Sequence, residues 1–135
     1  MSMINDIQAF LIAQSLVTEP SNRGAWPCFL GFMPDGNTDP DQCVSLHVLP
    51  GAEKPSQWGV IHSRIMVQVR GAVDYDYEPT RAKIYAIFNA LHATLTEVGS
   101  DYRSILGTTS EAIHLGVDSK RRHKFVWSLD VIHEV

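Results

Sequence analysis

The chain has 135 residues, 44% of them hydrophobic, and a formal net charge of -4 at pH 7. This length and composition predict one domain over residues 1–135, which buries about two-thirds of its unfolded surface and needs no metal or disulfide to fold. The net negative charge argues against a general nucleic-acid-binding protein, which normally presents a basic face. Apolar runs stay well short of the roughly 18 residues of a membrane span, and the N-terminus lacks a signal-peptide pattern. We therefore expect a soluble protein made in a cytoplasm, without a membrane partner.

Apolar residues at helical spacing predict a first helix over residues 3–14. Residues 28–33 and 43–49 are typical of strands, and residues 34–41 between them combine an Asp-Gly turn with two prolines and three aspartates. We expect these two strands to form a hairpin with a long exposed loop. A second exposed loop, rich in proline and glycine, follows over residues 50–58.

The two cysteines, Cys28 and Cys43, each begin one of these strands. In a hairpin they would lie at opposite ends, about 15 Å apart and beyond the reach of a disulfide. Both are therefore predicted to be free, buried thiols.

The longest strand pattern covers residues 60–70, where apolar and polar residues alternate as on a half-buried strand. From Glu78 onward the apolar residues recur at steps of three and four, which is typical of a helix. The apolar stripe of that helix consists of Ile84, Ile87, Phe88, Leu91, Leu95 and Val98. Pro79 suits the first helical position, and Gly99 suits the left-handed residue that closes the last turn. We expect this helix to cover the sheet.

After this helix, residues 103–107 and 112–117 are short strand-like pieces, and residues 124–132 form the clearest strand. The apolar side of that strand comprises Phe125, Trp127, Leu129 and Val131. The order of one helix, three strands, a second helix and further strands is not the strict alternation of a parallel sheet. The sequence therefore predicts an α+β fold, with a mostly antiparallel β-sheet and two helices packed on one face.

Side chains with catalytic or metal-binding chemistry do not fall into a recognised motif. Several histidines lie on or beside predicted strands, but without the spacing of metal ligands: His47, His62, His114, His123 and His133. Hydrolase, P-loop and dinucleotide glycine patterns are absent. Asp74, Asp76 and Glu78 are explained by stabilisation of a helix start, and a metal site there is less favoured because no His or Cys joins them. We therefore predict no enzyme activity, no cofactor and no metal.

Charged residues near the end of the chain have simple interpretations. Lys120, Arg121 and Arg122 form a basic run, which we interpret as the solvated tip of a hairpin. A contact with an acidic partner or a DNA phosphate is the alternative. Arg70 is interpreted as a cross-strand partner of Asp130.

Three segments together resemble small phage tail-terminator or minor capsid proteins. VQVRGAVDYDYEPTRAKIYAIFNALH, over residues 67–92, resembles a strand, a turn and an amphipathic helix of that family. LGVDSKRRHKFVWSLDV, over residues 115–131, is similar to its last strand pair, and FLGFMPDGNTDPDQCVSLHVLPG, over residues 29–51, resembles its opening hairpin. The resemblance covers most of the chain from Cys28 onward. The loop after residue 49 departs from the family, in which many members carry paired glycines.

The resemblance implies a structural virion protein of a tailed phage or prophage, forming a six-membered ring at the head-proximal end of the tail tube. Such a ring stops tube polymerisation and provides the interface for head attachment. The expected partners are further copies of the chain, the tail tube protein and a head-completion or neck protein. DNA would pass through the lumen of the ring without specific binding, because the net negative charge of the protein keeps DNA from adhering. The expected location is the virion tail, and the host cytoplasm during assembly.

Candidate ring or partner contacts lie in the two exposed loops, on the sheet and in the basic run. They are Asp35, Asp39, Lys54, Trp58, Arg64, Gln68, Arg70, Lys120, Arg121 and Arg122. For any one of them, ordinary solvated surface is the simpler interpretation.

Two alternatives stay open. A head-completion or neck adaptor of the same assembly would differ only in its binding partner. A small α+β ligand-binding domain that uses the strand histidines belongs to a different class, because such sheets host many functions. A bound metal, or a pocket joining His47, His62 and His114, would favour that second alternative.

Overall fold

The computed structural model describes residues 3–22, 25–36, 39–49, 54–55, 60–74, 76–92, 102–108 and 111–134. Within these ranges the chain forms two helices and seven strands. In chain order the elements are α1 (Met3–Ala13), β1 (Cys28–Leu30), β2 (Cys43–Val48), β3 (Lys54–Pro55), β4 (Val60–Arg70), α2 (Tyr77–Leu91), β5 (Tyr102–Gly107), β6 (Ile113–Val117) and β7 (His123–Glu134).

The strands form one mixed, mostly antiparallel sheet in the order β1-β2-β4-β7-β5, with β3 paired to β4 and β6 paired to β7. β4 and β7 form its centre, because every residue of β4 pairs with one of β7, Val67 lying opposite Trp127. β5 and β6 share the far side of β7, where β6 pairs with its first half and β5 with its second half. The predicted α+β fold is confirmed.

Both helices pack on one face of this sheet, as predicted. The helix residues that reach the core are spaced three or four apart: Met3, Ile7, Leu11, Ile84, Ile87 and Leu91. They meet the odd-numbered residues of the two central strands: Ile65, Val67, Val69, Phe125, Trp127, Leu129 and Val131. Burying each side chain of this size contributes about 1.5–3 kcal/mol relative to exposure, so this interface is the main source of stability.

The start of α2 differs slightly from the prediction. The helix begins at Tyr77, so Pro79 is its third residue, where a missing N–H still removes no helical hydrogen bond. The hydroxyl of Thr80 donates a hydrogen bond to the carbonyl of Asp76. Gly71 approaches Thr80 so closely that a Cβ at Gly71 would overlap the threonine side chain. The glycine therefore allows the end of β4 and the start of α2 to pack together.

α2 ends at Leu91, and its predicted continuation through Leu95 and Val98 to Gly99 lies outside the described residues. Neither helix of the described part has the length and apolar character needed to cross a membrane.

The predicted hairpin of β1 and β2 is wrong, because the two strands run parallel. β1 ends at Leu30, where Gly31 takes a positive φ of 82°. Parallel neighbours need a crossover, so residues 31–42 return to the starting end of the sheet before β2 begins. Cys28 lies opposite Val44, the residue next to Cys43, so the two thiols are neighbours rather than about 15 Å apart. Both are free and buried, as predicted.

Candidate functional site

The sheet face opposite the helices, called the second face below, carries the even-numbered residues of β4 and β7. At one end of it, the segment that crosses from β1 to β2, described over residues 31–36 and 39–42 and called the crossing segment below, lies over Arg70, and the turn that joins β6 to β7 approaches from the other side. At the other end, Arg64 and Asp130 are exposed. The second face therefore has a covered end and an uncovered end.

Two buried arginines organise the covered end. Arg70 and Arg122 together with Asp35, Asp41 and Asp118 are called the arginine cluster below. The side chains of Arg70 and Arg122 are 1% and 2% exposed. Charged groups are almost never buried without partners, so the contacts of each guanidinium explain why it is there.

Arg122 binds three carboxylates. Its Nη2 lies 2.7 Å from Oδ1 of Asp35, and its Nη1 lies 3.2 Å from Oδ1 of Asp41. Its Nε donates to Oδ2 of Asp118 over 2.9 Å, and the backbone N–H of Arg122 donates to the other oxygen of the same carboxylate. Charge-assisted hydrogen bonds of this kind are about twice as strong as neutral ones. Arg122 thus joins the β6–β7 turn to the crossing segment.

Arg70 binds backbone rather than side chains. Its Nε donates to the carbonyl of Asp41, and its Nη2 donates to the carbonyls of Pro34 and Pro40, each over 2.7 Å. The carboxylate of Asp35 lies 3.9 Å from Nη1. These three carbonyls hold the crossing segment on the sheet. Among the described residues, no buried side-chain nitrogen or oxygen lacks a hydrogen-bond partner.

The contacts of Arg122 favour the charged forms of three members of the cluster. The hydrogen bond from Arg122 lowers the pKa of Asp35 to about 2, and the positive charges of Arg122, Lys120 and Arg70 act in the same direction. Burial alone would raise the pKa of Asp118, but hydrogen bonds from Arg122 and Lys120 outweigh it and lower that pKa. Burial likewise acts to lower the pKa of Arg122, and its bonds to Asp35 and Asp118 raise it instead. Asp35, Asp118 and Arg122 are therefore ionised at neutral pH.

The basic run forms the tip of the β6–β7 hairpin, as predicted, but its three residues differ. Lys120 and Arg121 are exposed, and Arg122 is buried. Lys120 Nζ lies 3.4 Å from the carboxylate of Asp35. Arg121, at a positive φ of 62°, pairs with Asp74 over 2.7 Å. Salt bridges between exposed groups such as Arg121 and Asp74 contribute about 0–1 kcal/mol.

At the uncovered end, Arg64 donates from Nε to Oδ1 of Asp130 over 2.8 Å. The predicted pair of Arg70 with Asp130 is therefore wrong. The register explains the difference, because Arg64 lies opposite Asp130 and Arg70 lies opposite Lys124. Gln68, another predicted contact residue, lies between the two ends, half-buried and opposite Val126.

The remaining predicted contact residues do not join the cluster. Asp39 accepts a hydrogen bond from the backbone N–H of Gly36 over 2.6 Å, which closes a local turn. Lys54 belongs to the two-residue strand β3 and pairs with His62 in the sheet register. Trp58 lies outside the described residues.

No family model matches this chain, and no curated protein sequence matches it.

The histidines are distributed over several places. His47 shares a hydrogen bond of 2.9 Å with Ser45 on the second face. His114 and His123 share one of 2.9 Å on the helix side, where the Tyr77 ring packs edge-on against both. Of the residues that the structure describes, no group of three or more His, Cys, Asp or Glu is arranged to hold a metal ion. A pocket joining His47 with His114 would have to pass through the sheet.

An open depression of about 350 Å³ lies beside the end of α1, away from these histidines. Its lining includes Ile12, Val17, Thr18 and Asn22. Ligand sites are usually concave, apolar cavities with a few convergent polar groups, whereas this depression is open and its lining mixes buried or half-buried apolar residues with exposed polar ones. It offers no arrangement of acid, base and nucleophile.

Sequence reasoning selected Asp35, Arg70 and Arg122 but missed their common role and two partners, Asp41 and Asp118. One signal was available, because Asp118 stands four residues before Arg122 across a predicted turn. No such signal was available for Asp41, because it lies 81 positions from Arg122 in the chain. The spacing of charges along a sequence does not reveal contacts over that distance.

Proposed function

We propose that this chain is a tail-terminator-type structural protein, which assembles into a closed ring at the head-proximal end of a phage tail tube. The ring stops tube growth and offers the surface to which the head attaches. The proposal combines the resemblance of three sequence segments with one structural observation. That observation is an edge strand, β6, with an uncharged and exposed surface.

β6 pairs with β7 and has no second partner among the described strands. Its sequence, Ile-His-Leu-Gly-Val, carries no acidic residue, Lys, Arg or Pro. The side chains of Ile113, Leu115 and Val117 are 54%, 54% and 43% exposed. Soluble proteins usually protect a sheet edge with charges, prolines, bulges or a covering loop, and of these the described residues of β6 show only a bulge between His114 and Gly116. An apolar edge with so little protection is typical of a strand that is covered in an assembly.

The arginine cluster supports the same function in a second way. It fixes Asp35 and Asp41 of the crossing segment to the β6–β7 turn through bonds to Arg122. Asp35, Asp41 and Lys120 remain partly exposed there, so this end of the sheet presents charged groups in fixed positions. A rigid charged rim suits docking to a neighbouring ring, because electrostatic complementarity determines register and specificity.

The experiment has two steps. Light scattering of the purified protein over a wide concentration range, followed by negative-stain imaging, should reveal rings of about six copies with a central hole. The protein is then added to polymerising tail tube protein from the same phage or prophage, where we expect shorter tubes with one capped end. Unchanged tube lengths, with the protein bound to heads instead, would favour a neck adaptor. Unchanged tubes without binding to either would contradict a role in the tail.

A further inference from the structure

Asp35 is the only Asp or Asn in the sequence that is followed by glycine. In an Asp-Gly pair, the backbone nitrogen of the glycine can attack the side-chain carboxyl of the aspartate, because glycine has no Cβ to hinder the approach. The product is a five-membered succinimide ring, which water opens to aspartate or to isoaspartate. Asp35 and Gly36 are both exposed in the crossing segment. The pair therefore has the sequence and the access to water that isomerisation requires.

The structure holds both reacting groups in place. The carboxylate of Asp35 lies 2.7 Å from Nη2 of Arg122, which is buried and cannot follow the carboxylate when it moves. The N–H of Gly36 donates to Oδ2 of Asp39 over 2.6 Å, which fixes the peptide plane between Asp35 and Gly36. Ring closure requires Cγ of Asp35 to eclipse its own main-chain carbonyl carbon, a torsion outside the staggered rotamers. The bond to Arg122 opposes that rotation.

We propose that Asp35–Gly36 is an isomerisation site of this chain, which the bond to Arg122 keeps closed. The reaction begins when the carboxylate leaves Arg122 and takes up a proton. The nitrogen of Gly36 then forms a bond to Cγ of Asp35, the bond from Cγ to its hydroxyl oxygen breaks, and the hydroxyl leaves with the amide proton as water.

Hydrolysis of the ring completes the reaction. Attack of water on the main-chain carbonyl carbon of Asp35 breaks the bond from that carbon to the Gly36 nitrogen. The nitrogen takes a proton from the water and stays bonded to Cγ, so the product is isoaspartate. Attack on Cγ instead restores aspartate. In both cases the new carboxyl group releases the proton that was taken up at the start.

The charge of Asp35 slows the reaction as well, because the protonated carboxyl is the form that is attacked. The hydrogen bond from Arg122 lowers the pKa of Asp35 from 3.8 to about 2, and the charges of Arg122, Lys120 and Arg70 act in the same direction. A pKa difference of one unit changes the protonated fraction about tenfold, so the folded chain should react at least about tenfold more slowly than the unfolded chain at the same pH.

Isomerisation would change the crossing segment permanently. Isoaspartate lengthens the main chain by one carbon and places the free carboxylate on the former main-chain carbonyl carbon. The carbonyl of Pro34, which accepts a hydrogen bond from Arg70, lies directly before Asp35. The turn between Gly36 and Asp39 lies directly after it. The inserted carbon therefore disturbs the spacing between these two contacts and removes the bond of Asp35 to Arg122.

The test follows the uptake of heavy oxygen from isotope-labelled water, because each opening of the succinimide adds a labelled oxygen at residue 35. Mass spectrometry of peptides reads the label, and chromatography separates the isoaspartate form. Wild-type protein is compared in the folded state and in guanidinium chloride, at the same mildly acidic pH. The folded chain should take up label at least about tenfold more slowly than the denatured chain. Equal rates in the two states would overturn the proposal.

Two variants separate the bond to Arg122 from general rigidity of the loop. Arg122→Ala removes the cation, and Asp35→Asn replaces the carboxylate by an amide, which forms the same ring with loss of ammonia. Each folded variant should react nearly as fast as its own denatured chain, with Asp35→Asn compared at neutral pH. Arg121→Ala, the matched control, should be protected like the wild type.

Asp35→Asn keeps Arg122 with its two other carboxylates, so this variant decides the question if Arg122→Ala does not fold. Protection that persists in a folded form of either variant overturns the proposal, because the loop rather than the bond to Arg122 would then be responsible.

Discussion

The guanidinium of Arg122 lies 2.7 Å from the carboxylate of Asp35, a residue 87 positions away in the chain. This bond ties the hairpin tip to the segment that crosses from β1 to β2. Because Arg122 is buried and Asp35 is not, the pair extends from the sheet to the surface. It therefore connects the stability of the fold to the charged surface proposed for docking.

Replacing Arg122 by Ala should destabilise the protein by about 2–4 kcal/mol. The change leaves the carboxylates of Asp118, Asp35 and Asp41 without their common cation, and removing one partner of a buried ion pair is strongly destabilising. Part of the effect is recovered because two of the three carboxylates are about half exposed and can be hydrated. Urea unfolding followed by circular dichroism measures the difference.

Arg121→Ala is the matched control for this change. Arg121 is the neighbouring residue in the chain, but it is exposed and pairs with exposed Asp74. We expect its loss to cost about 0–1 kcal/mol. If the two substitutions lowered the free energy of unfolding equally, burial of Arg122 would not determine how much it contributes to stability.

Stability should fall in acid, partly through Asp35. Its pKa is lowered from 3.8 to about 2 in the folded chain, so protonation favours the unfolded state. The stabilisation from Asp35 is complete above its unfolded pKa and is lost as the pH falls through about 2. Asp118, whose pKa is also lowered, contributes with the same sign.

The variant Asp35→Asn isolates this contribution. It should be less stable than the wild type at neutral pH, and the two should converge as the pH falls through about 2. Urea midpoints measured across the acid range give the comparison. A stability difference that persists unchanged into strong acid would show that the carboxylate charge is not responsible.

Phe88→Ala should destabilise the protein by about 3 kcal/mol, the lower end of the range for a buried phenylalanine. Phe88 is half-buried, but its ring stacks on Trp127 with centroids 3.5 Å apart and an angle of 11° between the planes. The change opens a gap between α2 and the sheet. Asn89→Ala, on the exposed side of the same helix turn, should change the free energy of unfolding by less than about 0.5 kcal/mol. A similarly small effect at Phe88 would contradict the packing described for this interface.

The two thiols should resist modification in the folded protein. Burial raises the pKa of Cys28 to about 12, with a further contribution from Cys43, and burial also raises the pKa of Cys43. The thiolate is the reactive form, so a maleimide or Ellman's reagent at mildly alkaline pH should label neither cysteine. Both should react in denaturant. Rapid labelling of either thiol without denaturant would show that the β1–β2 edge opens easily.

The spacing of apolar residues in the sequence was sufficient to predict which faces of the helices and strands are buried. Apolar residues alternate with polar ones in β4 and β7, and they recur every three or four residues in α2. Each pattern defines the buried side of its own element, and Val67, Trp127 and Ile84 lie on the buried sides of β4, β7 and α2. These signals are local, because they depend on the geometry of one element. The fold class follows from them.

The direction of β1 and the burial of Arg70 could not be predicted in the same way. A strand has the same period in either direction, so the sequence of β1 is compatible with a parallel or an antiparallel neighbour. Alternation puts Arg70 on the face opposite the helices, but it does not say whether a loop covers that face. The answer depends on three loop carbonyls that are 29 to 36 positions away in the chain. Such contacts exist only after the chain has folded.

β7 pairs with β4, β5 and β6, so the middle of the sheet depends on the strand that is last in chain order. During synthesis, β4 and both helices are made before residues 123–134. Until then the apolar side of β4 and the stripe of α2 lack the strand that completes their core. Translation adds about 5–20 residues per second, so this interval lasts seconds, during which the nascent chain exposes apolar surface. The central sheet can therefore form only after residues 123–134 have been made.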